Sequence, residues 1–233
     1  MSRQTIKLKS GGVEIEADLY SPSSAAHGPL VVLAYGTGGM MAPFGSMYTE
    51  FADGLTQAGF HCLMPDYLSK TQTPHDLEMF KLFPACRALW VSALCDATAF
   101  VTALGQIDAS RMALCGFSLG GNLMIHAAQT IRAQAFVDFF APIASNIDAA
   151  SVVTPSMVSA FPPTLIHHGD QDAVVPLADS QLLEGWLLAR GIDNKLITYR
   201  GQGHPSLLDA SSWSAQSRHD SLGATVQFLR TRL

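Results

Sequence analysis

Five consecutive residues near the middle of the chain, Gly116-Phe117-Ser118-Leu119-Gly120, match the pattern G-x-S-x-G. The pattern lies between an apolar run typical of a buried strand and a stretch typical of a helix, which is the context of a nucleophile elbow. In such an elbow a strained backbone lifts the serine hydroxyl out of the turn, and small flanking residues let strand and helix approach closely. A glycine-rich connection with a solvated serine gives the same letters, so a catalytic interpretation requires partners for the Ser118 hydroxyl.

A base and an acid follow in the required order along the sequence. A serine hydroxyl is a poor nucleophile until a base, usually a histidine held by a carboxylate, takes its proton. In chains with this elbow the order is Ser, then Asp or Glu, then His. The segments HHGDQDAVVP and GQGHPS each follow a predicted buried strand. They supply His204 as the base and either Asp170 or Asp172 as the acid.

The hydrophobic pattern predicts strands and helices that alternate from residue 29 onwards. Strands are predicted at 4–9, 13–20, 29–36, 60–65, 111–115, 135–140, 164–168 and 195–199, and helices at 46–58, 84–104, 119–131, 179–190 and 213–230. Pro84 is expected in the first turn of its helix. The order predicts an α/β fold with a mostly parallel central sheet, helices on both faces and an antiparallel N-terminal hairpin. No repeat or linker divides the sequence, so one domain over residues 1–233 is expected.

In parallel sheets of this kind, ligands bind beyond the carboxyl ends of the strands. The motifs YGTGG, MPDYL, ALCGFSLGG, HHGDQDAVVP and GQGHPS occur in this order at predicted strand ends. With them, nearly the whole chain resembles the dienelactone hydrolase family of α/β-hydrolases. The resemblance implies the α/β-hydrolase fold, Asp172 as the acid, Asp170 as a turn residue and His204 as the base. The family's name-giving enzymes carry cysteine at the nucleophile position, whereas this chain has Ser118. Relatives with serine are similar to carboxylesterases, which implies ester hydrolysis rather than dienelactone hydrolysis.

An oxyanion hole needs two backbone N–H groups aimed at the charge that develops during acyl transfer. The residue after the nucleophile, Leu119, is expected to supply one of them, and the loop after the first parallel strand to supply the other. That loop reads YGTGGM, where many hydrolases have H-G-x-G, and Tyr35 takes the place of the histidine. We expect the second donor to be the amide of Thr37; the alternative is an ordinary glycine-rich β-to-α turn.

Aromatic residues near these motifs are candidates for the walls of a substrate pocket: Tyr35, Tyr67, Phe117 and Phe140. Core packing is the alternative role for each of them. His167 and His168 adjoin the aspartates, but neighbouring residues on a strand point to opposite faces and therefore do not easily share one ion. Neither a metal nor a cofactor is expected.

The composition limits the classes of partner and the location. The chain has a net charge of −5 and no block of Lys or Arg, so nucleic acid and anionic membranes are not expected partners. Four cysteines without a C-x-x-C pair are expected to be reduced: Cys62, Cys86, Cys95 and Cys115. The N-terminus lacks the apolar core of a signal peptide, and no run of about 18 apolar residues predicts a transmembrane helix. A cytoplasmic protein is expected.

Together these residues predict a serine hydrolase that cleaves small carboxylic esters, lactones or thioesters through an acyl-enzyme intermediate. A peptidase or an acyltransferase would use the same three side chains. A ligand-binding protein on a hydrolase fold would have lost their chemistry. The expected partner is a small-molecule ester or lactone, and the chain is expected to be a monomer or a homodimer.

Overall fold

The computed structural model of the chain describes residues 1–23, 27–145, 147–149, 151–205 and 210–233. Within this part of the chain, eight strands form one sheet: β1 (Ser2–Ser10), β2 (Val13–Ser21), β3 (Gly28–Ala34), β4 (His61–Pro65), β5 (Ile107–Phe117), β6 (Ala135–Phe139), β7 (Thr164–Gly169) and β8 (Asn194–Tyr199). The α-helices described are α1 (Phe44–Gln57), α2 (Glu78–Thr102), α3 (Leu119–Ala127), α4 (Leu177–Leu188) and α5 (Ala215–Arg230). Short 3-10 helices lie at Tyr67–Thr71, Pro155–Val158 and Ala210–Ser212.

The strands lie in the order β1-β2-β4-β3-β5-β6-β7-β8. The β1–β2 and β2–β4 pairs are antiparallel, and the other neighbouring pairs are parallel. Helix α2 packs on α3, whereas α1 packs on α5, so that helices cover both faces of the sheet. This architecture confirms the predicted α/β-hydrolase fold with its antiparallel N-terminal hairpin. The parallel register also brings the carboxyl ends of β3, β5, β7 and β8 to one edge.

The central strands are buried on both faces, as their continuous apolar sequences predict. Every residue of β4 and β6 is buried, and so is every residue of β3 apart from its second. Strand β5 begins before the predicted 111–115, and of its additional first residues, 107–110, only Ile107 is buried, while Asp108 is polar. A search for apolar runs misses such a polar strand end.

Helix α2 begins at Glu78, so the expectation that Pro84 stands in its first turn is wrong. Pro84 lies inside the helix, where it removes one backbone hydrogen bond. The turn before it is stabilised by Met79 and Phe83, which are buried and extend the apolar stripe that continues through Trp90. Among the described residues, α2 is also the one helix long and apolar enough to cross a membrane by length and composition, and 33% of its most apolar stretch is buried.

Candidate active site

Ser118 occupies the turn between β5 and α3 in a strained backbone conformation. Its φ of 51° and ψ of −123° lie in a region that non-glycine residues rarely adopt. The Ser118 amide donates to the carbonyl of Phe139 at 2.8 Å, and the Ser118 carbonyl accepts from the amide of Gly121 at 2.9 Å. Neighbouring strand and helix therefore hold the turn from both sides, as a nucleophile elbow requires.

The glycines of the elbow are required by close backbone contacts. A Cβ atom built on Gly120 would lie 2.2 Å from the carbonyl oxygen of Tyr35 and 2.4 Å from that of Ala34. One built on Gly116 would lie 2.5 Å from the Cα atom of Gly121. All three obstacles are backbone atoms, which have no alternative rotamer. Helix α3 can therefore approach β3 and β5 this closely only if positions 116 and 120 are glycine.

Gly120→Ala is expected to destabilise the fold by at least about 3 kcal/mol, because a methyl group overlapping two carbonyl oxygens forces the helix away from the sheet. Thermal unfolding measures this effect. The matched control is Gly223→Ala on the exposed side of α5, where a Cβ atom meets nothing within 4 Å. That substitution is expected to raise stability by up to about 1 kcal/mol through helix propensity. A Gly120→Ala protein with the melting temperature of the wild type would contradict the close approach of α3 to β3.

The side chains of Ser118, His204 and Asp172 are in direct hydrogen-bonding contact. His204 Nε2 lies 2.9 Å from Ser118 Oγ, and His204 Nδ1 lies 2.7 Å from Asp172 Oδ2. The carboxylate accepts from Nδ1–H, which leaves Nε2 as the acceptor for the serine O–H. Asp170 lies apart from this contact, and its Oδ1 accepts from the amide of Gly201 at 2.6 Å. Of the two aspartates left open by the residue pattern, the structure thus brings Asp172 to the histidine.

Asp172 is held by several donors in a buried environment. Its Oδ1 accepts from the amides of Val174 and Val175 at 2.9 and 2.8 Å, and its Oδ2 lies 3.3 Å from His168 Nε2. Burial on its own raises the pKa of this carboxyl group, but the contacts with His168 and His204 outweigh it and hold the pKa well below its usual value. Asp172 is therefore ionised throughout the neutral range and can orient an imidazole.

The loop that carries Thr37 is fixed by side chains from three other segments. The amide of Gly36 donates to the hydroxyl of Tyr48 at 3.0 Å, and the amide of Met40 donates to His75 Nδ1 at 2.9 Å. The hydroxyl of Tyr67 donates to the carbonyl of Tyr35 at 2.7 Å. These bonds hold the loop against the same cleft in which Ser118 and the first residue of α3 lie.

A model of the dienelactone hydrolase family matches residues 15–233 of the chain. The chain belongs to the dienelactone hydrolase family. This match confirms the resemblance drawn from the five motifs, and membership of the family supports hydrolysis as the activity.

Two relatives align with parts of this dienelactone hydrolase family member. A Bradyrhizobium protein named "Probable 2-oxo-3-(5-oxofuran-2-ylidene)propanoate lactonase" is 32% identical over 66% of this chain and 65% of its own length. The quorum-quenching protein AidA of Acinetobacter baumannii is 24% identical over 64% of this chain and 47% of its own length. The chain thus spans less than two thirds of the length of either relative.

The fold also matches solved structures of the family. A dienelactone hydrolase-like promiscuous phosphotriesterase from metagenomic libraries has a TM-score of 0.80 at 18% identity, with 99% of this chain and 98% of that chain covered. At so low an identity the likeness shows the shared fold.

In this family member, a cleft of about 710 Å³ opens over Ser118. This volume lies within the range of about 300–1,000 Å³ that is typical of small-molecule sites. Its described lining consists of Thr37, Phe44, Tyr48, Leu77, Phe80, Lys81, Ser118, Leu119, Phe140, Pro142, Ile147, Ala173, Val174, Val175, His204 and Pro205. Both residues expected to donate to an oxyanion, Thr37 and Leu119, therefore border the same space as Ser118.

Among the four aromatic residues predicted to line the pocket, Phe140 is the one that borders this cleft. Its backbone has a φ of 45°, and its ring meets the His204 ring edge to face with 4.7 Å between the centroids. This ring therefore packs against the imidazole as well as forming part of the wall. The positive φ, which turns the side chain towards the cleft, has no signature in the sequence.

Tyr35, Tyr67 and Phe117 lie outside the described lining, which corrects their expected role. Tyr35 and Tyr67 are fully buried and stacked, with 4.5 Å between their centroids, and their hydroxyl groups bind Asp66 and the loop before Thr37. Phe117 stacks on Phe139 at 4.3 Å beneath the elbow. Their aromatic surface is used in the core, which was the alternative left open for each.

Residues that the sequence did not single out form an exposed part of the cleft wall. Leu77 and Phe80, at the start of α2, are 52% and 51% exposed, and Val174 is 45% exposed. Sequence reasoning missed the first two because helix α2 was predicted to begin at residue 84. Val174 lies within the segment HHGDQDAVVP that supplies Asp172, and this position was the available signal.

His167 and His168 lie in separate hydrogen-bond networks. His167 contacts the hydroxyls of Tyr199 and Thr225 at 2.9 and 3.1 Å, and burial lowers the pKa of this imidazole to about 3. His168 Nδ1 lies 2.7 Å from the Ser180 hydroxyl. The described residues contain no group of three His, Cys, Asp or Glu side chains placed to hold a metal ion.

Proposed function

We propose that the protein hydrolyses small carboxylic esters or lactones with Ser118 as the nucleophile, through an acyl-enzyme intermediate. The observation that carries the proposal is the position of His204, which lies 2.9 Å from Ser118 Oγ on one side and 2.7 Å from Asp172 Oδ2 on the other. Both distances are within the range of a hydrogen bond that transfers a proton. A nucleophile, a base and an orienting acid are thus available at one edge of the sheet.

Acylation begins when Ser118 Oγ attacks the carbonyl carbon of the substrate. His204 Nε2 takes the serine proton as the C–O bond forms, and the carbonyl electron pair moves to oxygen. The amides of Leu119 and Thr37 donate hydrogen bonds to this oxyanion. These bonds strengthen as negative charge builds up on the oxygen in the tetrahedral intermediate. The intermediate then collapses, and His204 gives its proton to the departing alcohol oxygen.

Deacylation repeats these steps with water as the nucleophile. His204 Nε2 takes a proton from the water, whose oxygen attacks the acyl carbon. Collapse of the second intermediate breaks the bond to Ser118 Oγ, which recovers its proton from His204. Asp172 remains ionised in both halves, since its lowered pKa favours the charged form, and it stabilises the imidazolium that forms twice in each cycle.

The relatives support the same class of reaction. The Bradyrhizobium relative carries the name of a probable lactonase, and the structural neighbours include proteins named as esterases. Opening a lactone and cleaving an ester both transfer an acyl group from an alcohol oxygen to water. The chemistry proposed for Ser118 covers both substrate types without change.

A fluorophosphonate probe tests the assignment of the nucleophile. We expect one probe to attach per chain, with peptide mapping to Ser118, because the phosphonyl group mimics the tetrahedral intermediate. Ser118→Ala should abolish labelling, and Ser159→Ala, at an exposed serine outside the described lining of the cleft, should leave it unchanged. Folded wild-type protein that is neither labelled nor active on esters would instead be a ligand-binding protein. Turnover of anilides in place of esters would indicate a peptidase.

A further inference from the structure

Most of the cleft wall is apolar. Apart from the groups proposed for catalysis, aliphatic and aromatic side chains dominate the described lining, among them Phe44, Leu77, Phe80, Phe140, Ile147 and Val174. Contact with such a wall favours a ligand in proportion to the apolar area that both surfaces remove from water. The wall therefore selects for hydrocarbon.

Large apolar residues at the rim leave much of their surface in water. Leu77, directly before α2, and Phe80, in its first turn, are each about half exposed, although the other face of this helix is packed in the core. Both line the same cleft as Ser118. Contiguous apolar surface at the border of a concave site is a mark of ligand contact.

The charged group in the described lining other than the proposed catalytic histidine is already paired. Lys81 Nζ lies 2.6 Å from Glu78 Oε1, one turn earlier on α2, and the lysine side chain is 71% exposed. A cation neutralised by its neighbour and surrounded by water recognises a carboxylate weakly. The described wall thus offers no buried cation to a negatively charged substrate.

The direction of the substrate follows from the proposed mechanism. The leaving alcohol must be within reach of His204 Nε2, which places it beside Pro205, Ala173 and Val174. The carbonyl oxygen must face the amides of Leu119 and Thr37, which leaves the acyl group the part of the cleft away from His204. The loop that carries Thr37 is tied through Met40 to His75, two residues before Leu77, and Leu77 and Phe80 line the same cleft.

We infer that the substrates of this protein are uncharged esters whose acyl group is an apolar chain of several carbons, lying against Leu77 and Phe80. The inference rests on the proposed function and adds the substrate class to it. Anionic acyl groups are disfavoured, because they would place a carboxylate on an apolar wall without a free cation.

A series of 4-nitrophenyl esters with one leaving group and increasing acyl length tests this assignment. We expect kcat/KM to rise about tenfold from acetate to hexanoate, after correction for the rate with hydroxide, because each buried methylene contributes at most about a factor of four. The hemisuccinate ester should be at least about tenfold poorer than the neutral pentanoate of similar size. Phe80→Ser and Leu77→Ser should each reduce the hexanoate-to-acetate ratio to about three or less.

Phe100→Ser is the matched control, since Phe100 is an exposed phenylalanine of the same helix outside the described lining, and it should keep the wild-type ratio. A wild-type ratio near one, or one that Phe80→Ser leaves unchanged, would overturn the inference while ester hydrolysis itself stands. A preference for hemisuccinate that Lys81→Met removes would also overturn it. Absence of acetate turnover together with absence of Ser118 labelling would instead reject the proposed function.

Discussion

Ser118→Ala is expected to lower kcat by about 10⁵- to 10⁶-fold on any substrate that the wild type turns over. In the proposed mechanism the substitution removes the atom that forms the covalent intermediate, and His204 then has no hydroxyl to deprotonate. KM is expected to change much less, because the walls of the cleft are untouched. Steady-state kinetics with enough enzyme to detect residual turnover measures the effect.

The same prediction has a stricter form in the double variant. Because the proposed mechanism makes Ser118 and His204 act as one unit, Ser118→Ala with His204→Ala should be no slower than Ser118→Ala alone. Residual activity of about 10³-fold over water would come from the oxyanion donors and substrate binding. A Ser118→Ala enzyme that keeps a tenth of wild-type kcat, with contaminating esterase excluded, would show that the chemistry takes place elsewhere.

Asp172→Asn is expected to lower kcat by about 10⁴-fold. The amide has nearly the shape of the carboxylate, but it cannot stabilise the imidazolium, and its NH₂ group favours the wrong tautomer of His204. Asp170→Asn is the matched control, because Asp170 lies two residues away and accepts from the Gly201 amide, a bond that an amide oxygen can also accept. Its kcat should stay within about threefold of wild type. Equal losses in the two variants would contradict the assignment of Asp172.

The stability of Asp172→Asn should depend on pH in a defined direction. The folded-state pKa of Asp172 is lowered, so its ionised form contributes stability above the unfolded pKa of about 3.9, and this contribution is lost as pH falls towards the folded value. The wild type should therefore exceed Asp172→Asn most in melting temperature between pH 6 and 8, and the gap should shrink below about pH 4. A difference in melting temperature that grows as the pH falls would contradict a lowered pKa of Asp172 in the folded state.

The sheet and its order of elements could be predicted because each central strand is a short apolar run and most crossovers contain an α-helix; the described part of the β6–β7 connection contains only a short 3-10 helix. Helix starts were harder to predict. Pro84 suggested a first turn, but the burial of Met79 and Phe83 outweighs the hydrogen bond that the proline removes. Helix α5 starts where Ser214 accepts from the amide of Ser217, two residues after the predicted start at 213.

Some residues of the candidate site could also be predicted from the sequence, and others could not. Ser118 and His204 stand in motifs whose spacing and strand-end position can be read from letters, whereas the choice between Asp170 and Asp172 depends on a turn geometry seen in the structure. The cleft wall could be predicted in part: Phe140 was expected there and borders it, whereas Leu77 was missed because it lies in a turn before α2 that the sequence pattern did not reveal.

The strained turn at residue 118 is maintained by its surroundings: the carbonyl of Phe139, the amide of Gly121 and the glycine at 120. None of these contacts involves the hydroxyl. A cysteine at this position could therefore be held by the same backbone contacts, with its thiol in the place of the hydroxyl. The turn as built here accommodates either serine or the cysteine of the family's name-giving enzymes.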